Sequence, residues 1–133
     1  MHGYVRLKYP TFEAIVEFNK TECKRTGEEH VLEDRVRLRR ILRDVKGVGK
    51  GIPLEEAIIK KAAYLLFSIT STQPFHEGNK RTAYVTAKAF LKFNGFEMEA
   101  PKAELFDILE GIIFTRVTLN RVEEWLMGRV IRR

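Results

Sequence analysis

The stretch Gln73-Pro-Phe-His-Glu-Gly-Asn-Lys-Arg-Thr82 gathers a carboxylate, a glycine, an amide and two cations within a few residues. Residues of these types can hold a polyphosphate together with a metal. A helix beginning at Asn79 or Lys80 would aim its free backbone N–H groups and positive dipole end into the loop. Helix N-termini bind phosphate for that reason. Gly78 lets the backbone approach a ligand closely. Lys80 and Arg81 add cationic donors, and the planar fork of Arg81 suits phosphate oxygens. Glu77 beside them can hold Mg²⁺, which binds through carboxylate and substrate phosphate. Phe75 is expected to turn inward and anchor the loop. The same residues also fit a plain polar turn, with Asn79 as a helix cap and Glu77 favouring the helix dipole.

The elements around this loop read as helices. Thr11 caps a helix from about Phe12, with Phe12, Ile15, Val16 and Asn19 on one face and Gly27 as the stop. In EDRVRLRRILRDV and the Leu32 before it, Leu32, Val36, Leu38, Ile41, Leu42 and Val45 take a mostly helical spacing opposite an arginine-rich face, and Gly47 ends it. The stretch 47–53, GVGKGIP, is a loop with three glycines and a proline. Pro53 then opens LEEAIIKKAAYLLFSITST, apolar enough to be a central buried helix. After the loop, TAYVTAKAFLKFN runs as a second apolar helix to Gly95. Pro101 opens KAELFDILEGIIFTRV, with Leu105, Ile108, Leu109, Ile112 and Ile113 inward. Asn120 and Glu123 have capping-box spacing. The last helix carries Val122, Trp125, Leu126 and Val130, with RVIRR at its C-terminal end. VRLKY near the start alternates as a short strand would. The expectation is one all-α domain over residues 1–133, with two apolar helices flanking QPFHEGN.

QPFHEGNKRTA resembles the signature of the Fic/Doc (Fido) family, H-x-F-x-[D/E]-[A/G]-N-[K/G]-R. Phe75, Glu77, Gly78, Asn79, Lys80 and Arg81 match it, and Pro74, Thr82 and Ala83 are also typical. The resemblance extends over about residues 10–126, through the helix before the loop and FLKFNGF after it. It implies a Fic/Doc-type helical bundle and a nucleotide-dependent transferase using ATP and Mg²⁺. Family members move AMP, or in the death-on-curing toxin Doc the terminal phosphate, from ATP to a protein hydroxyl, for Doc on a translation elongation factor. AMP-transferring members read GNGRxxR. Here Lys80 stands at the second Gly and Tyr84 at the last Arg, which points to the Doc-like branch, a protein kinase more than an adenylyltransferase. The resemblance implies that Glu77 coordinates Mg²⁺. Phe75, Gly78, Asn79, Lys80 and Arg81 would line the nucleotide site, with Lys80 and Arg81 catalytic as well. The glycine loop around Lys46–Ile52 would be a flap that holds the target segment by strand-like pairing. A plain helix–helix linker is the alternative reading of that loop.

The family's first motif residue is a His acting as general base. Gln73 occupies that position. Its amide can orient a hydroxyl but takes up no proton near neutral pH. General base catalysis is typically worth ~10²–10⁴-fold. Phosphoryl transfer depends mainly on positioning and charge, so weakened activity is compatible with the loss. His76, at the variable position, reads as an exposed loop histidine; His2 and His30 lie outside the motif and look incidental. The alternative to a weakened transferase is a degenerate Fic-fold module that binds nucleotide or protein without catalysis. No [S/T]-x-x-x-E inhibitory helix is recognisable, so control is expected from a separate antitoxin chain in a toxin–antitoxin setting.

The bulk numbers agree with a globular domain. The chain has 133 residues, with 44% hydrophobic and 32% charged, the balance of a folded chain and not a disordered one. Cys23 is the sole cysteine, which excludes an internal disulfide and suits a reducing, cytoplasmic setting. Cys23 reads as an inert helix residue. No membrane span or apolar leader is expected. The net charge of +6 favours anionic partners. In RVRLRRILR the arginines alternate with core-type residues, as on a solvated helix face, so nucleic acid is not the expected partner.

Overall fold

In the computed structural model, which describes residues 6–133, the chain is an all-α domain of six helices with one small sheet. Helix α1 (Phe12–Thr26) begins where Thr11 accepts a bond from the Ala14 N–H at 3.0 Å. Gly27 ends it at φ 75°. Asp34 caps α2 (Arg35–Asp44) in the same way, accepting from the Arg37 N–H at 2.9 Å. These caps satisfy amides that a helix start otherwise leaves unpaired. A 3-10 turn, Val45–Gly47, and the glycine stretch lead into α3 (Leu54–Thr72). Then follow α4 (Asn79–Phe93), α5 (Lys102–Ile113) and α6 (Leu119–Met127).

Helix α3 is the centre of the domain and packs against α2, α4, α5 and α6. Leu65, Leu66 and Ile69 are fully buried along it, facing Ala83, Ala87, Phe90 and Leu91 of α4 within one continuous core. Small residues on both helices let the two backbones approach, and each large side chain buried there contributes about 1.5–3 kcal/mol. In α2 the inward positions are Leu38 and Ile41, followed by Val45, whereas Val36, expected inward, is 66% exposed. The true face follows the three- and four-residue step from Leu38, which leaves Val36 beyond its edge.

Two expectations at the C-terminal end are corrected. Helix α6 is capped by Thr118, which accepts from the Arg121 N–H at 3.2 Å, so Asn120 already lies inside the helix. The chain after Gly128 does not continue α6. Instead β2 (Val130–Arg132) pairs antiparallel with β1 (Phe96–Met98), placing Glu97 opposite Ile131. The strand expected in VRLKY is not formed over residues 6–9, and Val5 lies outside the described residues. That segment is held by the Asn94 side chain, which accepts from Lys8 N–H and donates to Lys8 C=O, both at 2.9 Å. No helix among the described residues is long and apolar enough to cross a membrane.

Candidate functional site

Two helix ends meet at the QPFHEGN loop. Helix α3 ends at Thr72, and Gln73 reverses the chain at φ 50°, a left-handed conformation uncommon for a side chain of this kind. Gln73 itself stays exposed. Phe75 goes inward and is 1% exposed. It anchors the loop, and burial leaves its ring no open face for a nucleotide. Asn79 clasps the same residue, its Oδ1 accepting from Phe75 N–H at 3.0 Å and its Nδ2 donating to Phe75 C=O at 2.8 Å. Both amide groups of Asn79 therefore shape the loop.

Gly78 begins α4 at φ 76° with no side-chain cap. The backbone N–H groups of Glu77, Gly78, Asn79 and Lys80 have no acceptor among the described residues, and the first bond of the helix is Thr82 N–H to Gly78 C=O at 2.9 Å. An open, positive helix end thus faces outward. A Cβ at Gly78 would meet Cys23 Sγ at 3.0 Å and Asn19 Nδ2 at 3.1 Å, so glycine is required by both conformation and space.

Asn19 and Cys23 of α1 support the loop from behind, a part that sequence reading missed. Asn19 is fully buried and donates to Glu77 C=O at 2.8 Å and to Thr82 Oγ1 at 3.0 Å. Its Oδ1 meets His30 Nδ1 at 2.7 Å, so His30, read as incidental, joins the support. Cys23 Sγ lies 3.6 Å from Glu77 C=O. Burial, and next the charge of Glu28, push the Cys23 thiol above its usual value, which suits a packed, unreactive side chain. The available signal was Asn19 itself, an amide on the apolar face of α1 that must be satisfied indoors.

The charged residues are tied up in specific ways. Glu77 accepts from the Glu29 N–H through Oε2 at 2.5 Å. The Arg81 guanidinium pairs with Glu28, donates to Thr26 Oγ1 at 3.1 Å, and stands 3.9 Å from Glu22. Its Nε is buried without a hydrogen-bond partner among the described residues. The bond from Arg81 holds the Glu28 carboxyl below the usual carboxylate range. Lys80 turns the other way, pairing with Glu110 and lying 5.1 Å from the Phe106 ring centre. It borders an open recess of about 370 Å³ lined by Lys80, Arg81, Tyr84, Lys102, Leu105, Phe106 and Leu109. His76 Nδ1 contacts Glu33 at 2.9 Å, and that bond raises its pKa above the usual 6.5.

The segment beside the loop is not the glycine stretch. Lys46–Ile52 precedes α3, whereas Gln73 follows it, and a helix of 19 residues separates their ends by roughly 28 Å. Residues 27–34 run along the loop instead. Leu32 forms an antiparallel bridge with Phe75, His76 N–H donates to Val31 C=O at 2.8 Å, and Glu33 and Asp34 N–H both donate to Pro74 C=O at 2.9 Å.

No curated protein matches the chain. The model for the Fic/DOC family matches residues 10–91, a span that includes α1, α3, the QPFHEGN loop and most of α4. The chain belongs to the Fic/DOC family.

Proposed function

We propose that the chain is a nucleotide-dependent transferase that moves the terminal phosphoryl group of ATP to a protein hydroxyl, weakened by Gln73. The observation that carries this reading is the uncapped start of α4, where free amides and Gly78 at φ 76° form a ready anion site. Arg81, whose guanidinium is one-third exposed and held by Glu28 and Glu22, is the adjoining cation. The recess between α4 and α5 continues from it, with Lys80 on one wall and Phe106, Tyr84 and Leu105 offering apolar surface for a base. Departures from the AMP-transferring pattern at Lys80 and Tyr84 favour phosphoryl transfer. A toxin-type role under an antitoxin, with a translation elongation factor as acceptor, goes with that branch of the family.

Glu77 fits a Mg²⁺ site of the kind that needs one carboxylate plus phosphate oxygens. Its Oε2 is engaged by Glu29 N–H, leaving Oε1 for an ion. Among the described residues no group of three His, Cys, Asp or Glu is placed to hold a metal unaided. When bound, Mg²⁺ would neutralise charge developing on the phosphates. The acceptor oxygen bonds to the γ-phosphorus, the bond to the β–γ bridging oxygen breaks, and ADP leaves. Gln73 can orient the acceptor hydroxyl, whose proton passes to solvent because an amide does not take it. His76 is a poor substitute: it is engaged by Glu33, and its raised pKa leaves less of it free as a base. Residues 27–34, bridged to Phe75, are the strand-like segment against which a target could pair.

A second reading, a nucleotide- or protein-binding module without catalysis, is favoured by the pairing of Arg81 with Glu28. The test is Mg²⁺ with ATP labelled on the α or γ phosphate, a cell lysate, and both the natural chain and Gln73→His. Transfer of the γ label, stronger in Gln73→His, supports the kinase reading. Nucleotide binding with no transfer by either form establishes the module, and α-label transfer establishes AMP transfer.

A further inference from the structure

The positive charge of the chain is confined to one place. Residues 35–50 hold five arginines, Lys46 and Lys50 against a single carboxylate, Asp44, which amounts to the whole net charge of +6. The rest of the chain is balanced. The acidic residues before this run, Glu28, Glu29, Glu33 and Asp34, lie at the QPFHEGN end, where Asp34 caps α2 and Glu28 and Glu33 are paired; those after it, Glu55 and Glu56, open α3, and Glu55 is paired with Arg132.

Four of these seven cations, Arg39, Arg43, Lys46 and Lys50, line two adjoining recesses. One, of about 540 Å³, lies between the start of α1 and the end of α2 and includes Tyr9, Phe12, Arg39, Arg43 and Lys46. The other, of about 1110 Å³, shares Tyr9 and Lys46 and adds Arg6, Lys50 and Lys61. Neither lining contains a carboxylate. Among the described residues Arg39, Lys46, Lys50 and Lys61 form no ion pair, and Arg43 meets only its neighbour Asp44, at 3.1 Å. Lys61 is buried, 5% exposed, and donates to Val45 and Lys46 C=O at 3.0 and 2.9 Å. It therefore joins the glycine stretch to α3 while adding charge to the floor. Arg39 lies 4.3 Å from the Phe12 ring centre and is exposed on its outer side. Cation–π attraction holds this guanidinium, a planar group on which a base can stack, against the ring.

We propose that this continuous groove, from Arg39 through Tyr9 and Lys46 to Lys50, is a track for single-stranded nucleic acid. Phosphates lie along Arg43, Lys46 and Lys50, and a base stacks on the free face of Arg39, as bases do on guanidinium planes in single-strand recognition. The placement favours one strand over two: Arg39, Arg43, Lys46 and Lys50 line recesses between elements, where a flexible single strand can follow them, while Arg35, Arg37 and Arg40 lie on α2 outside that lining. Acidic peptides answer the charge but make no use of a flat stacking platform. Of the arginines expected on a solvated face, Arg39 and Arg43 line this groove, and Arg35 and Arg40 are exposed outside it.

The test is fluorescence anisotropy with a labelled twelve-nucleotide oligouridine and its deoxy counterpart, in excess ATP. The expected result is binding that survives ATP and weakens with salt at a log–log slope of about −2, for three phosphates neutralised. Arg39→Glu/Arg43→Glu and the milder Lys46→Gln/Lys50→Gln should each weaken it by roughly tenfold or more. Lys20→Glu/Lys24→Glu, which makes the same charge change on α1 outside the groove, should leave it near the natural value. Thermal melts check that each variant is folded. Four outcomes overturn the proposal: equal binding of a duplex of the same length, equal binding of a poly-glutamate peptide, displacement by ATP, or equal loss in the Lys20/Lys24 variant.

Discussion

An anionic ligand arriving at the start of α4 must compete with Glu28 for the guanidinium of Arg81. Glu28→Gln should therefore tighten nucleotide binding several-fold, and isothermal titration with ADP or ATP measures it; unchanged affinity would show that Arg81 takes no part. The pH dependence has a definite sign. The Glu28 carboxyl is depressed by its bond from Arg81, so this pair stabilises the fold above the usual carboxylate value of 4.5 and the contribution is lost as pH falls through the depressed one. His76 behaves oppositely. Its raised pKa means that the bond to Glu33 contributes fully below about 6.5 and is lost as pH rises through the raised value. A proton NMR titration of His76 in the natural chain and in Glu33→Gln should show the raised midpoint fall in the variant. Buried Asn19 is the residue on which the loop depends most directly. Asn19→Ala leaves Thr82 Oγ1 and His30 Nδ1 without their Asn19 partner and Glu77 C=O with only the weak Cys23 thiol, and should cost about 1–3 kcal/mol, read from denaturant unfolding.

At the scale of elements, Thr11, Asp34 and Thr118 close the starts of α1, α2 and α6 with side-chain bonds, while α3, α4 and α5 begin after Pro53, Gly78 and Pro101 with none; α4 alone of these begins on a glycine at positive φ. Gly78→Ala puts a Cβ against Cys23 and Asn19 at positive φ. Strain of that kind costs on the order of 1–3 kcal/mol, and nucleotide affinity should fall with it because the turn that exposes the amides is displaced. Retained affinity in a destabilised Gly78→Ala would place the ligand elsewhere. The loop is braced from two sides, by α1 through Asn19 and by residues 27–34 through the Leu32–Phe75 bridge. Bracing of a loop between two helix ends holds catalytic or binding groups more firmly than the loop alone.

For the molecule as a whole, the QPFHEGN loop lies at the C-terminal end of α3 and the cationic recesses toward its N-terminal end. The C-terminal strand closes the domain by covering β1. Phe96 and Met98 are each 6% exposed in the paired sheet. Removing residues after Gly128 strips β2 from them, and the loss of burial should cost about 2–4 kcal/mol. Comparison of Tm between the shortened and full chains tests this; equal values would show β2 to be energetically idle.

Much was legible in the sequence because it is a local property. The bounds of α1, α3 and α4 follow from Thr11, Gly27, Pro53 and Gly95 and from apolar spacing, and the loop motif with Glu77, Gly78 and Arg81 is contiguous in the chain. Family membership was carried by those same contiguous residues. What the tertiary structure decided depends on partners distant in sequence. Strand β2 exists because Phe96–Met98 lies beside it, and without that pairing RVIRR reads as a helix end. The capture of Arg81 by Glu28 spans 53 positions, and that of Asn19 with Glu77 spans 58. The resemblance made Lys46–Ile52 the flanking flap, with a plain linker as the alternative, but a motif match carries no direction in space. A rigid helix put that loop at the far end of α3 and left residues 27–34 at the site, because backbone pairing to Pro74, Phe75 and His76 could form only there.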